Sequence, residues 1–411
     1  MIDLKLLREN PVQIIELLHI KEPSYDARKL YDLDAKVRQL RIEVESLRKK
    51  KNDLAQQAKS GVTPEIRTES MQISAVLKEK EVNLESLDKE FKLYYLSCPN
   101  IPAQDIPMGG KDSNKVVKTF GEKPTFNFPV KNHLELGTAL KWFDFETAAQ
   151  ITAGNFPLYK GDGVKVIYAL TMFMLKNNMK FGFEPILPSY LVNEQSLTVA
   201  SNFPKFKDQV FAVTEDNIYL TPTAEVNLAN MYRNKILNAD ELPIRMTSWT
   251  SCFRREAGGY GAHERGLIRM HQFEKVELFT VCTPEQSNQE QERMLACAES
   301  ILQQLGLHYR VSLLAGQDCS FASAKTYDIE VWLPGQGMYY EVSSISNCTD
   351  FQARRGMIRY KKSADSSTEL VNTLNGSSLA LSRLMVAILE VYQQADGSVI
   401  IPEVLKNEGI F

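Results

Sequence analysis

Five stretches of this 411-residue chain place charged, hydroxyl and aromatic side chains at spacings suited to phosphate and amine chemistry. The first is Phe253-Arg254-Arg255-Glu256-Ala257-Gly258-Gly259-Tyr260-Gly261. A strand-like approach ends in Arg254 and Glu256, then opens into a glycine-rich loop that closes near Gly266. An arginine can hold a phosphate or carboxylate through two parallel hydrogen bonds. A Glu two residues on shares its face of a strand and can accept from an exocyclic amine. Alone, the motif is equally a surface hairpin with an ordinary ion pair.

The second stretch runs from Arg269 to Phe279. At strand period 2, one face carries Arg269, His271, Phe273, Lys275 and Glu277. A cation, an aromatic ring and a carboxylate make poor core but a plausible floor for a ligand with phosphates, a flat base and an ammonium group. An exposed amphipathic edge strand is the plainer reading. The third is an expected hairpin, Tyr327–Leu333 and Met338–Ser344 around Pro334-Gly335-Gln336-Gly337. Pairing Leu333 with Met338 sets Glu330 opposite Glu341, and like charges directly opposed are destabilising. A divalent cation with hard oxygen ligands, Mg²⁺ above all, would relieve that. A register slip of one or two residues would instead keep the carboxylates apart.

In the fourth stretch, Leu374 to Arg383, the residues Leu381, Leu384, Met385, Ile388 and Tyr392 begin a buried helical stripe. Arg383 lies about 160° from that stripe, free to face a ligand or solvent. The fifth, Leu220-Thr221-Pro222-Thr223-Ala224-Glu225, can offer a hydroxyl and a carboxylate to a small amine. By default it is a turn into a capped helix.

These segments need elements to hold them. Leu30, Leu33, Val37, Leu40, Val44, Leu47 and Leu54 step by three, four and finally seven, which is a heptad seam. After a break at Ser60-Gly61-Val62-Thr63-Pro64, a second seam runs through Ile66, Ile73, Leu77, Leu84, Leu87, Phe91 and Tyr94, interrupted at Ser70 and Lys80. Two such helices predict an antiparallel hairpin over about 28–95, roughly 45 Å long. Its outer faces carry Arg38, Arg41 and the run Arg48-Lys49-Lys50-Lys51. Clustered cations of this kind either coat a solvated coiled coil or neutralise an RNA backbone.

A Pro/Gly-rich stretch, Cys98 to Gly110, reads as a connector. The expected domains are a helical arm at 1–105, a linker at 106–118 and a catalytic domain at 119–411. Beyond Thr119 strand and helix patterns mix without βαβ alternation, so the fold class is α+β around a largely antiparallel sheet. No P-loop or dinucleotide fingerprint is present, so any ATP is held by another architecture. A net charge of −3 excludes a globally basic nucleic-acid coat. Cys98, Cys252, Cys282, Cys297, Cys319 and Cys348 form no C-x-x-C pair, as suits a reduced compartment. Residues 1–18 carry Asp3, Arg8 and Glu9 and do not read as a secretory leader. The apolar stretch Leu379–Tyr392 is too short for a bilayer. A cytoplasmic location without membrane partners is therefore expected.

Taken in order, the chain resembles the class II aminoacyl-tRNA synthetases, and among them the seryl-tRNA synthetase family. The likeness spans essentially the whole length. It rests on the helical arm, the N-I-P connector, the T-A-E step at Thr223, F-R-x-E-A-G at Phe253, and G-L-I-R-x-H-Q-F-x-K-V-E at Gly266. It continues through E-V-S-S-x-S-N at Glu341, D-F-Q-A-R-R at Asp350 and N-G-S at Asn375. The resemblance implies a coiled-coil arm followed by an antiparallel sheet flanked by helices. It implies a serine–tRNA ligase that makes seryl-adenylate and then charges tRNA(Ser), and with it tRNA(Sec). ATP and Mg²⁺ would be required, and the chain would work as a homodimer through Phe183 to Pro188.

Residue by residue, Arg254 matches the ligand of the α-phosphate and the serine carboxylate, Glu256 that of the adenine amine, and Phe273 the ring stacked on adenine. Arg383 matches the arginine that reaches the γ-phosphate and the adenine's other face. Glu341 and Ser344 match the Mg²⁺ ligands, with Glu330 added from the expected pairing. Arg255, Met270, Val342 and Ser343 are expected around the nucleotide. Thr223, Ala224, Glu225, Glu277, Asn375 and Ser377 are expected around serine, with Arg38, Arg41, Arg48, Lys49, Lys50 and Lys51 on tRNA. Two departures stand out. Val199 to Phe206 lacks a G-T-G-Q before P-K-F, and Ser378 and Ser382 stand where glycine is common. A related ligase loading a carrier protein would lack the basic arm. An inactive RNA-binding paralogue would have lost one of Arg254, Glu277, Glu341 or Arg383.

Overall fold

The computed structural model describes residues 1–256 and 266–411, which divide into two compact units, Met1–Pro99 and Asn100–Phe411. In the first unit, two short helices, Leu4–Glu9 and Pro11–Lys21, precede two long ones, Ala27–Gln57 and Pro64–Leu96. Asp26 and Thr63 cap the long helices by accepting from the backbone N–H groups of Lys29 and Ile66. Between them Gly61 takes φ +141°, a backbone conformation that suits glycine. Leu30, Leu33, Val37, Val44, Leu54 and Leu77 from the expected seams are buried. Ion pairs join Lys29 to Glu90, Arg41 to Asp88 and Arg48 to Glu81, so one helix runs up as the other runs down. Lys80, the polar interruption of the second seam, reaches Glu43 at 2.6 Å.

The second unit is built on an eight-stranded sheet. Its strands are β1 (Lys115–Phe120), β2 (Glu184–Pro185), β3 (Ile244–Phe253), β4 (Gln272–Cys282), β5 (Tyr309–Leu313), β6 (Lys325–Leu333), β7 (Met338–Asn347) and β8 (Asn372–Ala380). They lie in the order β1-β5-β6-β7-β8-β4-β3-β2. All neighbours are antiparallel except β2 beside β3. The stretch expected as a linker at 106–118 lies against this unit. Ile106 is buried with Leu313 and Leu314, and residues from Lys115 onward form the edge strand.

Strand alternation divides the two faces. On β4, Val276, Leu278 and Cys282 enter a core shared with the helices Asp162–Lys180, Ser287–Gln304 and Leu381–Val391. The opposite side presents Phe273, Lys275 and Glu277 to a cleft, and Phe279 and Val281 to a second core. The stripe predicted on the Leu381 helix is fully buried at Leu381, Leu384, Met385 and Ile388.

The β6–β7 hairpin forms in the predicted register, with Leu333 opposite Met338 and Glu330 opposite Glu341. Its turn is anchored by the fully buried Glu390, which accepts from the Gly335 N–H at 2.9 Å and the His133 N–H at 3.0 Å. A Cβ on Gly335 would meet the Lys131 carbonyl oxygen at 2.6 Å and the Asn132 Cα at 2.8 Å. Gly335→Ala is therefore expected to lower the unfolding free energy by ~1–3 kcal/mol, the usual cost of overpacking, as read from urea denaturation.

Candidate active site

A strict strand period would send Glu341 and Ser344, three residues apart on β7, to opposite faces. They share one because Val342 is a bulge: β6 pairs Glu330 with Glu341 but Asp328 with Ser344. Four oxygen-bearing side chains thus lie on one face. Glu330, expected beside Glu341 as a metal ligand, is engaged elsewhere. Arg310 donates to it twice, at 2.9 and 3.2 Å, and Ser312 donates at 2.7 Å. Glu341 and Ser344 line the cleft, and Glu330 is absent from its lining.

Asp328 was not foreseen. It is half-buried, and its Oδ1, withdrawn from solvent, has no hydrogen-bond partner. Burial, then the neighbouring Glu341 charge, pushes its carboxyl well above the usual carboxylate range. A carboxylate, a hydroxyl and an orphaned carboxyl oxygen are hard donors that fit Mg²⁺. Among the described residues no three acidic, imidazole or thiol groups converge closely enough to hold a metal alone. A cation here would therefore take further oxygens from phosphates and water.

Beside these oxygens stand the cations. Arg254 lies 5.1 Å over the Phe273 ring, while its Nε donates to the Pro222 carbonyl at 3.2 Å. Arg383 lies 5.1 Å over Tyr340 and donates to the Glu341 carbonyl at 2.8 Å. Glu256 is fixed by Arg269 at 2.5 Å; Arg269, expected on one strand face with Phe273, precedes β4, which begins at Gln272. The glycine-rich loop expected after Glu256 falls on 257–265, outside the described residues.

A third group of side chains forms an amine-sized corner. Thr223 caps the helix Ala224–Leu228, as the plain reading held, by accepting from the Glu225 N–H at 3.2 Å. Its hydroxyl also donates to Glu277 at 3.0 Å and accepts from Lys275 at 2.7 Å. Lys275 and Glu277 form a buried ion pair. Glu225 is half-buried in the wall of the cleft. Burial, then the charge of Glu277, raises its carboxyl to about 7, against the lowering pull of Lys275, Gln352 and Asn375.

One cleft of about 430 Å³ is lined by Arg254, Glu256, Met270, Phe273, Glu341, Val342, Ser344 and Arg383 together with Glu225, Glu277, Asn375 and Ser377. That volume is ordinary for a small-molecule site. Four expected residues besides Glu330 stay off its walls. Arg255 is exposed, Ala224 is fully buried, Thr223 acts from behind Glu277, and Ser343 turns its hydroxyl to the Ser377 carbonyl. Lys275, Arg269, Phe206 and Ser382 join the lining without having been singled out as ligands. Ser378 is the bulged residue of β8, and its hydroxyl donates to Asn178 at 3.0 Å.

On the arm, Arg38, Arg41 and Arg48, expected either to coat a solvated coiled coil or to meet RNA, pair with Asp34, Asp88 and Glu81. Lys49, Lys50 and Lys51 are exposed. No described helix is long and apolar enough to cross a membrane, and all six cysteines are free and buried.

The family model for the seryl-tRNA synthetase N-terminal domain matches residues 1–102, and that for the tRNA synthetase class II core domain (G, H, P, S and T) matches 206–392. The chain is 45% identical to the serine–tRNA ligase of Chlamydia felis over 414 aligned residues, covering 99% of this chain and 97% of that protein. It belongs to the seryl-tRNA synthetase family. Membership makes it an aminoacyl-tRNA ligase with the coiled-coil arm and class II sheet that the sequence led us to expect. The seryl-tRNA synthetase from Pyrococcus horikoshii, solved with ATP, superposes with a TM-score of 0.92 at 34% identity, covering 100% of this chain and 98% of that one. The cytoplasmic enzyme from Naegleria fowleri, solved with AMP, gives 0.84 at 27% identity, covering 99% and 96%.

Glu225 should lose its proton near pH 7, as followed by isotope-edited infrared titration of its carboxyl band. Replacing the like charge next to it, in Glu277→Gln, should move that midpoint down toward the usual carboxylate range.

Proposed function

We propose that this chain activates L-serine with ATP and transfers the seryl group to the 3′ end of tRNA(Ser). The observation that supports this most is the single cleft: Arg254, Arg383 and Glu341 share it with Glu225 and Glu277. A nucleotide triphosphate and a small amino acid would then lie within bonding distance of each other.

In the first step a serine carboxylate oxygen attacks the α-phosphorus. The bond from that phosphorus to the bridging oxygen breaks, and pyrophosphate leaves with the electron pair. The protein does no covalent work, so positioning and charge compensation supply the rate. Arg254 would hold the α-phosphate and the serine carboxylate, its guanidinium already placed 5.1 Å from the centre of the Phe273 ring. Adenine would stack on Phe273, with its amine on Glu256 and with Met270 and Val342 as walls. Arg383 would take the γ-phosphate. When bound, Mg²⁺ would be held by Glu341 and Ser344 and would neutralise phosphate charge. In the second step the terminal ribose hydroxyl attacks the seryl carbonyl, and AMP leaves.

Glu277 and Glu225 would take serine's ammonium, with Thr223 holding Glu277 from behind, and Ser377 and Asn375 would take its hydroxyl. A site built to bond a hydroxyl rejects alanine because the abandoned polar groups are left buried and unpaired. The ion pairs of Arg41 and Arg48 do not argue against an RNA role. Exposed pairs contribute only ~0–1 kcal/mol, so phosphates can replace the carboxylates. The reading extends to tRNA(Sec), to a cytoplasmic setting and to a homodimer. Exposed Tyr168 and Met172 on the helix before Phe183, and Leu187 after it, suit that dimer contact.

Serine-dependent ATP–pyrophosphate exchange is expected, with threonine, alanine and glycine at least ~10²-fold poorer. Arg254→Ala should cut it ~10²–10³-fold, and undiminished exchange would remove the phosphate role. Deleting residues 30–94 should leave exchange intact and abolish tRNA charging. Below about pH 7 Glu225 is neutral and attracts an ammonium less, so the serine KM should fall as pH rises through that value. Glu225→Gln should erase this dependence.

A further inference from the structure

We infer that Gln352, held in orientation by Thr373, is a positioning residue for Glu225 and sets how tightly the cleft takes its substrate's ammonium group. This rests on the reading of Glu225 as a partner of that ammonium. Gln352 is fully buried on the helix Phe351–Gly356, behind the cleft wall. Its Nε2 donates to Glu225 Oε1 at 2.6 Å. Its Oε1 accepts from the Thr373 hydroxyl at 2.8 Å.

A carboxamide is nearly symmetric in shape, yet its two ends have opposite effects on a carboxylate. The NH₂ end stabilises the anion, and the carbonyl end repels it. Thr373, committed as a donor, leaves only the first orientation. Its own backbone is pinned, its N–H donating to Thr349 and its carbonyl accepting from Cys348, both at 2.9 Å. Thr373 precedes Asn375 by two residues on β8, so the strand turns both side chains to one face. Asn375 is the second amide donor to Glu225. The groups facing Glu225 are thus Glu277 and Lys275 from β4, Asn375 from β8 and Gln352 from its helix. Glu277 and burial oppose the anion, and the two amides and Lys275 favour it.

With the Gln352 donor removed, Glu225 keeps its proton to higher pH, and the cleft meets an ammonium with one negative charge fewer.

The test is steady-state ATP–pyrophosphate exchange on the full chain from pH 6 to 9, with folding checked by thermal melting. Gln352→Met keeps length and loses the donor, Thr373→Val keeps shape and loses the hydroxyl, and Thr373→Ser keeps the hydroxyl. The first two should raise the serine KM about tenfold at pH 7, leave the ATP KM unchanged and move the serine pH midpoint upward. Thr373→Ser should behave as the parent. Parallel rises in both KM values, or an unmoved serine KM and midpoint in folded Gln352→Met or Thr373→Val, would overturn the assignment. Should Gln352→Met fail to fold, the Thr373 pair decides. Glu225→Gln run alongside separates the two levels. If it raises the serine KM while Gln352→Met does not, only the positioning role falls. If it too leaves the serine KM unchanged, the ammonium role of Glu225 falls, and this inference with it.

Discussion

Two carboxylates side by side, the buried Glu277 and the half-buried Glu225, are the arrangement on which the second unit's architecture turns. Neither could stay charged there without compensation, because a carboxylate withdrawn from water and set beside a like charge is penalised. Compensation comes from separate parts of the chain. Lys275 sits two residues before Glu277 on the same strand face and neutralises it directly. Thr223, at the end of a different element, bonds both. Amides from β8 and from the Phe351 helix favour the anionic form of Glu225. The sheet order places β8 beside β4, which is what lets these donors meet.

Much of this was legible in the residues. Period-2 reading of the Arg269 stretch grouped Phe273, Lys275 and Glu277, and all three face the cleft. The hairpin register around Pro334 to Gly337 followed from turn residues and matches the strand pairing from Leu333–Met338 to Glu330–Glu341, beyond which the bulge at Val342 shifts it by one residue. Heptad spacing found the arm, because a seam of leucines has few other uses in a helix.

What was not legible shares a cause. A β-bulge leaves no mark on local propensity, so nothing in Glu341-Val342-Ser343-Ser344 announced that residues three apart would share a face. The same reasoning that found the Glu330–Glu341 pair could not see that Arg310, on a strand not yet placed, would claim Glu330. Asp328 and Gln352 went unnoticed because their importance lies in partners distant in sequence. A lone Asp in a strand, or a Gln in D-F-Q-A-R-R, carries no periodic signal.

The antiparallel course of the arm has a consequence for how its reach can change. Residues 41 and 88, and 48 and 81, face each other, so each step toward the tip on one helix is matched on the other. Losing one heptad from each helix near the tip would shorten the hairpin by about 10 Å and leave the pairing nearer the base in place. The arm is in this sense a ruler trimmed at its hairpin turn, each residue lost from one helix being matched by one lost from the other.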